Sequence, residues 1–216
     1  MVKVVCFDLD DTLHKEINYL KAAYRLIAKE IFPEQWEEYY HKMLDWYYDG
    51  ENVFQKIVDI KSGEVELAGL IQMYRYNVHK LMLPIEVDEV LQTLKAKGIK
   101  LGLITDGREL TQSNKIKALG LNRYFSEDMV IISEVFGSEK PSMRNYEYFM
   151  KKFPEASFAY VGDNPKKDFI APNLLGWDTV CLLDDGRNIH MQDFTLEEKY
   201  LPKLKINKIK ELISLI

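Results

Sequence analysis

The chain has little of what several function classes need. It has only two cysteines, Cys6 and Cys181, and each sits inside an apolar run, VVCF and TVCLL. They read as buried, reduced thiols rather than a disulfide. Its four histidines, His14, His41, His79 and His190, are scattered, so no Cys/His cluster has zinc spacing. Only His14 stands near other polar chemistry, just behind a run of aspartates. There is no basic excess: 29 Lys and Arg face 34 Asp and Glu, for a net charge of −5. That balance gives no electrostatic footprint for nucleic acid. No apolar stretch approaches the roughly 20 residues of a membrane-spanning helix. The short apolar run at the N-terminus meets aspartates at once and lacks a small-residue cleavage site, so no signal peptide is read there. A cytoplasmic location is expected. No internal repeat or low-complexity segment is visible.

What is present is an ordinary globular balance, 47% hydrophobic and 29% charged over 216 residues. That length allows one substantial domain with a smaller insert. Short β-rich apolar runs recur at Lys3–Phe7, Ile99–Ile104, Met129–Ile132, Phe158–Val161 and Thr179–Leu183. Helical patterns separate most of them: Val87, Val90, Leu91 and Leu94; Ile116 and Leu119; Tyr146, Phe149, Met150 and Phe153. Strands alternating with helices predict an α/β fold with a doubly wound, Rossmann-like parallel sheet. Runs that are nearly all apolar predict strands covered on both faces.

One interval breaks the alternation. From about residue 15 to 82 no strand pattern appears. Leu20, Tyr24, Ile27 and Ile31 recur at helical spacing, as do Trp36, Tyr40, Met43 and Tyr47, and then Leu67, Leu70, Tyr74, Val78 and Leu81. An all-helical insert of three or four helices is therefore expected at 15–82, with the sheet domain made from 1–14 and 83–216. The insert is rich in aromatics, most of which should pack its own bundle. The C-terminal KLKINKIKELISLI predicts a short strand followed by an amphipathic helix packed on the core.

Ligands of open parallel sheets bind beyond the carboxyl ends of the strands. The residues that follow each run are therefore informative. After the first come Asp8, Asp10, Asp11 and Thr12; after the second, Thr105, Asp106, Gly107 and Arg108; after the third, a segment carrying Lys140; after the fourth, Asp163, with Asp168 five residues on. At least four carboxylates, a hydroxyl and a lysine should gather at one edge. Such a set suits phosphoryl transfer, which needs a nucleophile, a proton donor and positive charge. Each like-charge pair at about 4 Å costs on the order of 4 kcal/mol at an effective dielectric near 20. One lysine cannot offset that, whereas oxygen-only ligands favour Mg²⁺. Asp8 and Asp10, two apart on an extended segment, should face the same way, and Asp11 elsewhere, as a turn or capping carboxylate.

The segments Asp8-Leu9-Asp10-Asp11-Thr12, Thr105-Asp106-Gly107, Lys140-Pro141 and Gly162-Asp163-Asn164-Pro165-Lys166-Lys167-Asp168 resemble, in order, the four motifs of the haloacid dehalogenase superfamily. The helical insert is similar to that superfamily's C1 cap. The resemblance implies Asp8 as nucleophile, forming an aspartyl-phosphate, and Asp10 as general acid and then base. It implies Thr105, with the backbone of Asp106, on a phosphoryl oxygen, and Lys140 as the neutralising cation. Mg²⁺ would be held by Asp8, Asp163 and the backbone carbonyl of Asp10. Asp168 would assist, on the metal or through Lys140. Gly107 and Arg108 would line the substrate side. The family often has Gly where this chain has Asp11.

A carboxylate at Asp10 argues against dehalogenation, because a departing halide needs no proton. The expected function is a Mg²⁺-dependent phosphatase acting on a small phosphorylated metabolite. A phosphomutase, or a non-catalytic protein that binds such a metabolite, remains open at this point. The stretch TDGRELTQSNKIKALGL is also similar to acylneuraminate-phosphate phosphatases, which tilts the expected substrate toward a sugar or sugar-acid phosphate. Neither a nucleic-acid nor a membrane partner is expected. The sequence leaves the oligomeric state open.

Overall fold

The computed structural model describes residues 2–76 and 81–216. Val78, expected to continue a helical stripe, and His79 lie outside the described residues. Six parallel strands form one sheet in the order β3-β2-β1-β4-β5-β6. They are β1 (Lys3–Phe7), β2 (Lys100–Thr105), β3 (Val130–Ile132), β4 (Ser157–Gly162), β5 (Asp178–Leu182) and β6 (Leu204–Ile206). The five apolar runs of the sequence become β1 to β5 with shifts of one residue at most sites. The short C-terminal strand is β6. The helix expected after it is brief, a 3₁₀ turn at Ile209–Glu211 running into Leu212–Leu215.

Among the described residues, four helices follow β1 before residue 77: α1 (Glu16–Ile31), α2 (Trp36–Tyr48), α3 (Val53–Lys61) and α4 (Leu67–Tyr76). They enclose their own apolar cluster around Tyr24, Ile27, Met43, Ile57 and Leu70. Tyr24 meets Tyr47, Phe54 and Tyr74 edge-on, and Phe32 stacks on Tyr39 at 3.6 Å. These aromatics hold the bundle together. Tyr19 on α1 is an exception, because it reaches toward the sheet domain.

The sheet is covered on both faces, as its apolar strands require. Helix α5 (Ile85–Ala96) and the C-terminal segment lie over the cluster of Phe7, Leu91, Leu103 and Leu212. The other face carries Tyr146, Phe149, Tyr160 and Trp177. Tyr146 and Phe149 come from the helix Arg144–Lys152. That helix packs so closely on β2 that a Cβ at Gly102 would lie 2.8 Å from the Phe149 ring and 2.6 Å from Cys6 Sγ. Both cysteines are free and buried, and burial pushes their thiols up. No described helix is long and apolar enough to cross a membrane.

Candidate active site

Strand order reverses at β1, which lies between β2 and β4. Crevices of open parallel sheets form at such points, beyond the carboxyl ends of the strands. Asp8 follows the last residue of β1, and Asp163 follows that of β4. The Asp8 N–H donates to Val161 O at 2.9 Å, so sheet pairing fixes the backbone that carries the side chain. A cleft of about 330 Å³ opens here, with Asp8, Asp10, Thr105, Asp106, Lys115 and Asp163 among its walls. Arg108 and Gly107 also line it.

Lys140 is the hub of the buried charges. Its Nζ lies 2.7 Å from Asp8 Oδ1 and 2.8 Å from Asp168 Oδ1, and it donates to Tyr160 Oη at 3.1 Å. Burial works against the ammonium, but Asp168 and Asp8 hold it protonated, well above the usual lysine range. Its backbone N–H donates to Asp106 Oδ1 at 3.0 Å, so the side chain of Asp106 braces the lysine segment. Asp106 Oδ2 also lies 3.3 Å from Lys167 Nζ.

Asp8, Asp163 and Asp168 each offer a carboxylate oxygen, all within 4.8 Å of one another. Burial pushes Asp8 up to about 7 despite Lys140. Burial, with Asp168 and Asp8 adding to it, pushes Asp163 up to about 9. Once all three give up their protons, as metal binding requires, three carboxylates against Lys140 leave two negative charges, which one divalent cation balances. The donors are all oxygen, which suits Mg²⁺. Asp168 is otherwise engaged: Oδ1 faces Lys140, and Oδ2 accepts from the N–H groups of Asp163 at 3.1 Å and Asn164 at 2.8 Å. A Cβ at Gly162 would lie 2.5 Å from that Oδ2, so the close approach requires glycine. Asp163 Oδ2 accepts from Asn188 Nδ2 at 2.9 Å. Among the described residues, Asp8 Oδ2 and Asp163 Oδ1 have no hydrogen-bond donor, so these two atoms are the ones open to a cation.

Asp10 and Asp11 part company. Asp10 lines the cleft, with Oδ1 2.7 Å from Lys115 Nζ and Oδ2 accepting from Gln112 Nε2 at 2.9 Å. Asp11 has φ +60°, a left-handed conformation that costs most residues energy and that Asp tolerates better than most. Its Oδ1 accepts from the N–H of Glu16 at 3.0 Å, at the start of α1. Its Oδ2 accepts from the N–H of Ile189 at 2.9 Å. It pins the first helix of the insert and the loop after β5. Thr105 is buried, and its Oγ1 accepts from Gln112. Arg108 stands exposed at the mouth, its Nη1 2.6 Å from Glu134 Oε1.

A model of the haloacid dehalogenase-like hydrolases matches residues 5–182. The chain belongs to that family. A glyceraldehyde 3-phosphate phosphatase of Methanocaldococcus jannaschii is 30% identical over all of this chain and 97% of its own length. A phosphoglycolate phosphatase of Aquifex aeolicus is 29% identical over 97% of this chain and all of its own. Among solved structures, the haloacid dehalogenase-type hydrolase YfnB of Bacillus subtilis, bound to magnesium, superposes with a TM-score of 0.66. It shares 21% identity, covering 99% of this chain and 98% of that one. That similarity concerns the fold.

Within this family frame, the cleft also holds residues that the sequence motifs did not single out. Gln112 and Lys115 lie on the helix α6 (Glu109–Ala118), one turn apart and both buried. Their signal was available: that helix offers few apolar residues for a segment packed against a sheet domain. Glu16 opens α1 and lines the same cleft. Lys167 and His190 border it, and Asn188 reaches Asp163 from a loop that carries no family motif.

Proposed function

We propose that the chain is a Mg²⁺-dependent phosphatase that hydrolyses a small phosphate monoester through an aspartyl-phosphate on Asp8. The observation that carries this reading is one cleft holding Asp8 beside buried Lys140, with Asp10 on the same side and hydrogen-bonded in place. In the first step an Asp8 oxygen attacks phosphorus. The bond from phosphorus to the leaving oxygen breaks, and the Asp10 carboxyl gives its proton to that oxygen. In the second, Asp10 takes a proton from water as the water attacks phosphorus, and the bond to Asp8 breaks, releasing phosphate. Thr105 Oγ1 and Lys140 hold the phosphoryl oxygens and offset their charge.

Mg²⁺ would be held by the Asp8 and Asp163 carboxylates and the Asp10 carbonyl, and would supply the positive charge that lets a phosphate dianion enter. Asp168 supports this set by fixing Lys140 and the Asp163 backbone. The relatives' names favour a short substrate, and a cleft of about 330 Å³ is at the small end of ligand sites. The sugar-phosphate expectation thereby narrows to its smallest members, with glyceraldehyde 3-phosphate the first to try. Release of phosphate from a panel of phosphorylated two- to six-carbon metabolites tests this. Hydrolysis should need Mg²⁺ and vanish in Asp8→Asn. Metal-independent or absent turnover would overturn the reading, and isomerised esters in place of free phosphate would favour a mutase.

A further inference from the structure

Asp10 is held by more than its place in a motif. Each of its two carboxylate oxygens has a separate donor, Lys115 Nζ at 2.7 Å and Gln112 Nε2 at 2.9 Å. Gln112 is itself fixed, because the same amide nitrogen lies 3.1 Å from Asp106 O and beside Thr105 Oγ1. Lys115 is buried, its side chain 3% exposed, on a helix of the sheet domain. Its other contacts come from the insert. Glu16 Oε1 is 3.4 Å away, and Nζ sits 4.8 Å from the centre of the Tyr19 ring. Tyr19 in turn donates its hydroxyl to Tyr74 O on α4 at 2.7 Å. Beside it, Asn114 Nδ2 on α6 donates to Arg75 O on α4 at 3.1 Å, a direct tie from the helix of Lys115 to the insert.

Burying an ammonium is costly unless it is paired and hydrogen-bonded. A lysine serving only to join α1 to α6 could pair with Glu16 alone. Here it reaches further and makes its shorter contact to Asp10. Two carboxylates share the one ammonium, so Glu16 keeps it company whichever form Asp10 takes. We propose that Lys115 is a positioning residue for proton donation. With Gln112 it holds the Asp10 carboxyl in one place, and through Glu16 and Tyr19 it makes that placement depend on the helical insert. This rests on the phosphatase reading above, in which the proton passes from Asp10 to the leaving oxygen as the phosphorus–oxygen bond breaks.

The leaving group separates this role from a structural one. A good leaving group departs without a proton, whereas a poor one depends on it. kcat/KM, which reports steps up to the first phosphoryl transfer, is measured for phenyl phosphate and 2,4-dinitrophenyl phosphate with Mg²⁺. Lys115→Met should lose about 100-fold on phenyl phosphate and no more than about threefold on the dinitrophenyl ester. The activated ester also reports that the variant is folded. Glu16→Gln should show a smaller loss with the same dependence on leaving group. An equal loss on both esters, or none on either, would overturn the role of Lys115. A Glu16→Gln loss independent of leaving group would overturn the link through the insert. If the wild type hydrolysed neither ester, the phosphatase reading would fail and this inference with it; a uniform loss in an active enzyme refutes the inference alone.

Discussion

Lys140 Nζ lies 2.7 Å from Asp8 Oδ1, and the two side chains are 0% and 5% exposed. The pair shares that ammonium with Asp168. Breaking a buried pair from one side strands the other charge, at a cost of about 3–5 kcal/mol. Lys140→Met should therefore lower stability by about that much in urea unfolding. It should also lower turnover by at least about 100-fold, since a preorganised positive charge at the reacting group is lost.

Asp10 and Asp11 are neighbours with separate work. Asp10→Asn keeps the backbone carbonyl proposed for the metal but has no proton to give. Mg²⁺ binding by calorimetry should persist while turnover falls about 10²- to 10⁴-fold. Asp11→Asn should leave turnover within a few-fold and lower stability by about 1–2 kcal/mol, because its two backbone bonds weaken. Equal damage from Asp11→Asn and Asp8→Asn would contradict this division.

Without metal, the acidic cluster should make the protein less stable as pH rises. Asp8 and Asp163 ionise at about 7 and about 9 in the fold, against 3.8 ordinarily. Between these limits the folded chain holds protons that the unfolded chain has released, so stability falls with increasing pH. Mg²⁺ displaces those protons and relieves the repulsion. The rise in Tm on adding saturating Mg²⁺ should be larger near about pH 9 than near about pH 6, measured by differential scanning fluorimetry. Asp163→Asn should reduce that difference.

His14 acts in the opposite sense. Burial lowers its pKa from 6.5 to about 4, with Lys115 adding to the effect and Asp10 opposing it. Between those values the unfolded chain binds a proton that the fold refuses, so stability is lost as pH falls through the window. A shift of this size is worth on the order of 3 kcal/mol. The stability lost between pH 7 and about pH 4.5 should be about 2–3 kcal/mol greater in the wild type than in His14→Gln, read from urea midpoints.

The sheet and the edge of the site were legible because their signals are local. Runs such as KVVCF and TVCLL are apolar throughout, which only strands covered on both faces need. Asp8, Thr105, Lys140 and Asp163 each stand just beyond such a run or in the segment after it, so topology alone brings them together. The partners of Asp10 were less legible. Lys115 is 105 positions away, and a lysine in a helix reads first as a solvated residue. Only the folded arrangement, which brings Lys115 on α6 to Glu16 and Tyr19 on α1, shows that its ammonium is buried between Asp10 and Glu16. Asn188 was hidden for a related reason: it reaches Asp163 from a loop whose path nothing in its composition announces. Asp11 was legible as a turn residue, and its φ of +60° gives a physical reason why Gly also suits that place.

The central claim is that phosphoryl passes through the Asp8 carboxylate, and acid-quenched single turnover tests it most directly. Enzyme mixed with Mg²⁺ and ³²P-labelled glyceraldehyde 3-phosphate, then quenched within one turnover, should carry acid-stable label. Hydroxylamine should remove it, and peptide mapping should place it on Asp8, whereas Asp8→Asn should take up none. Release of phosphate by the wild type with no covalent label at any quench time, or label on another residue, would contradict the account.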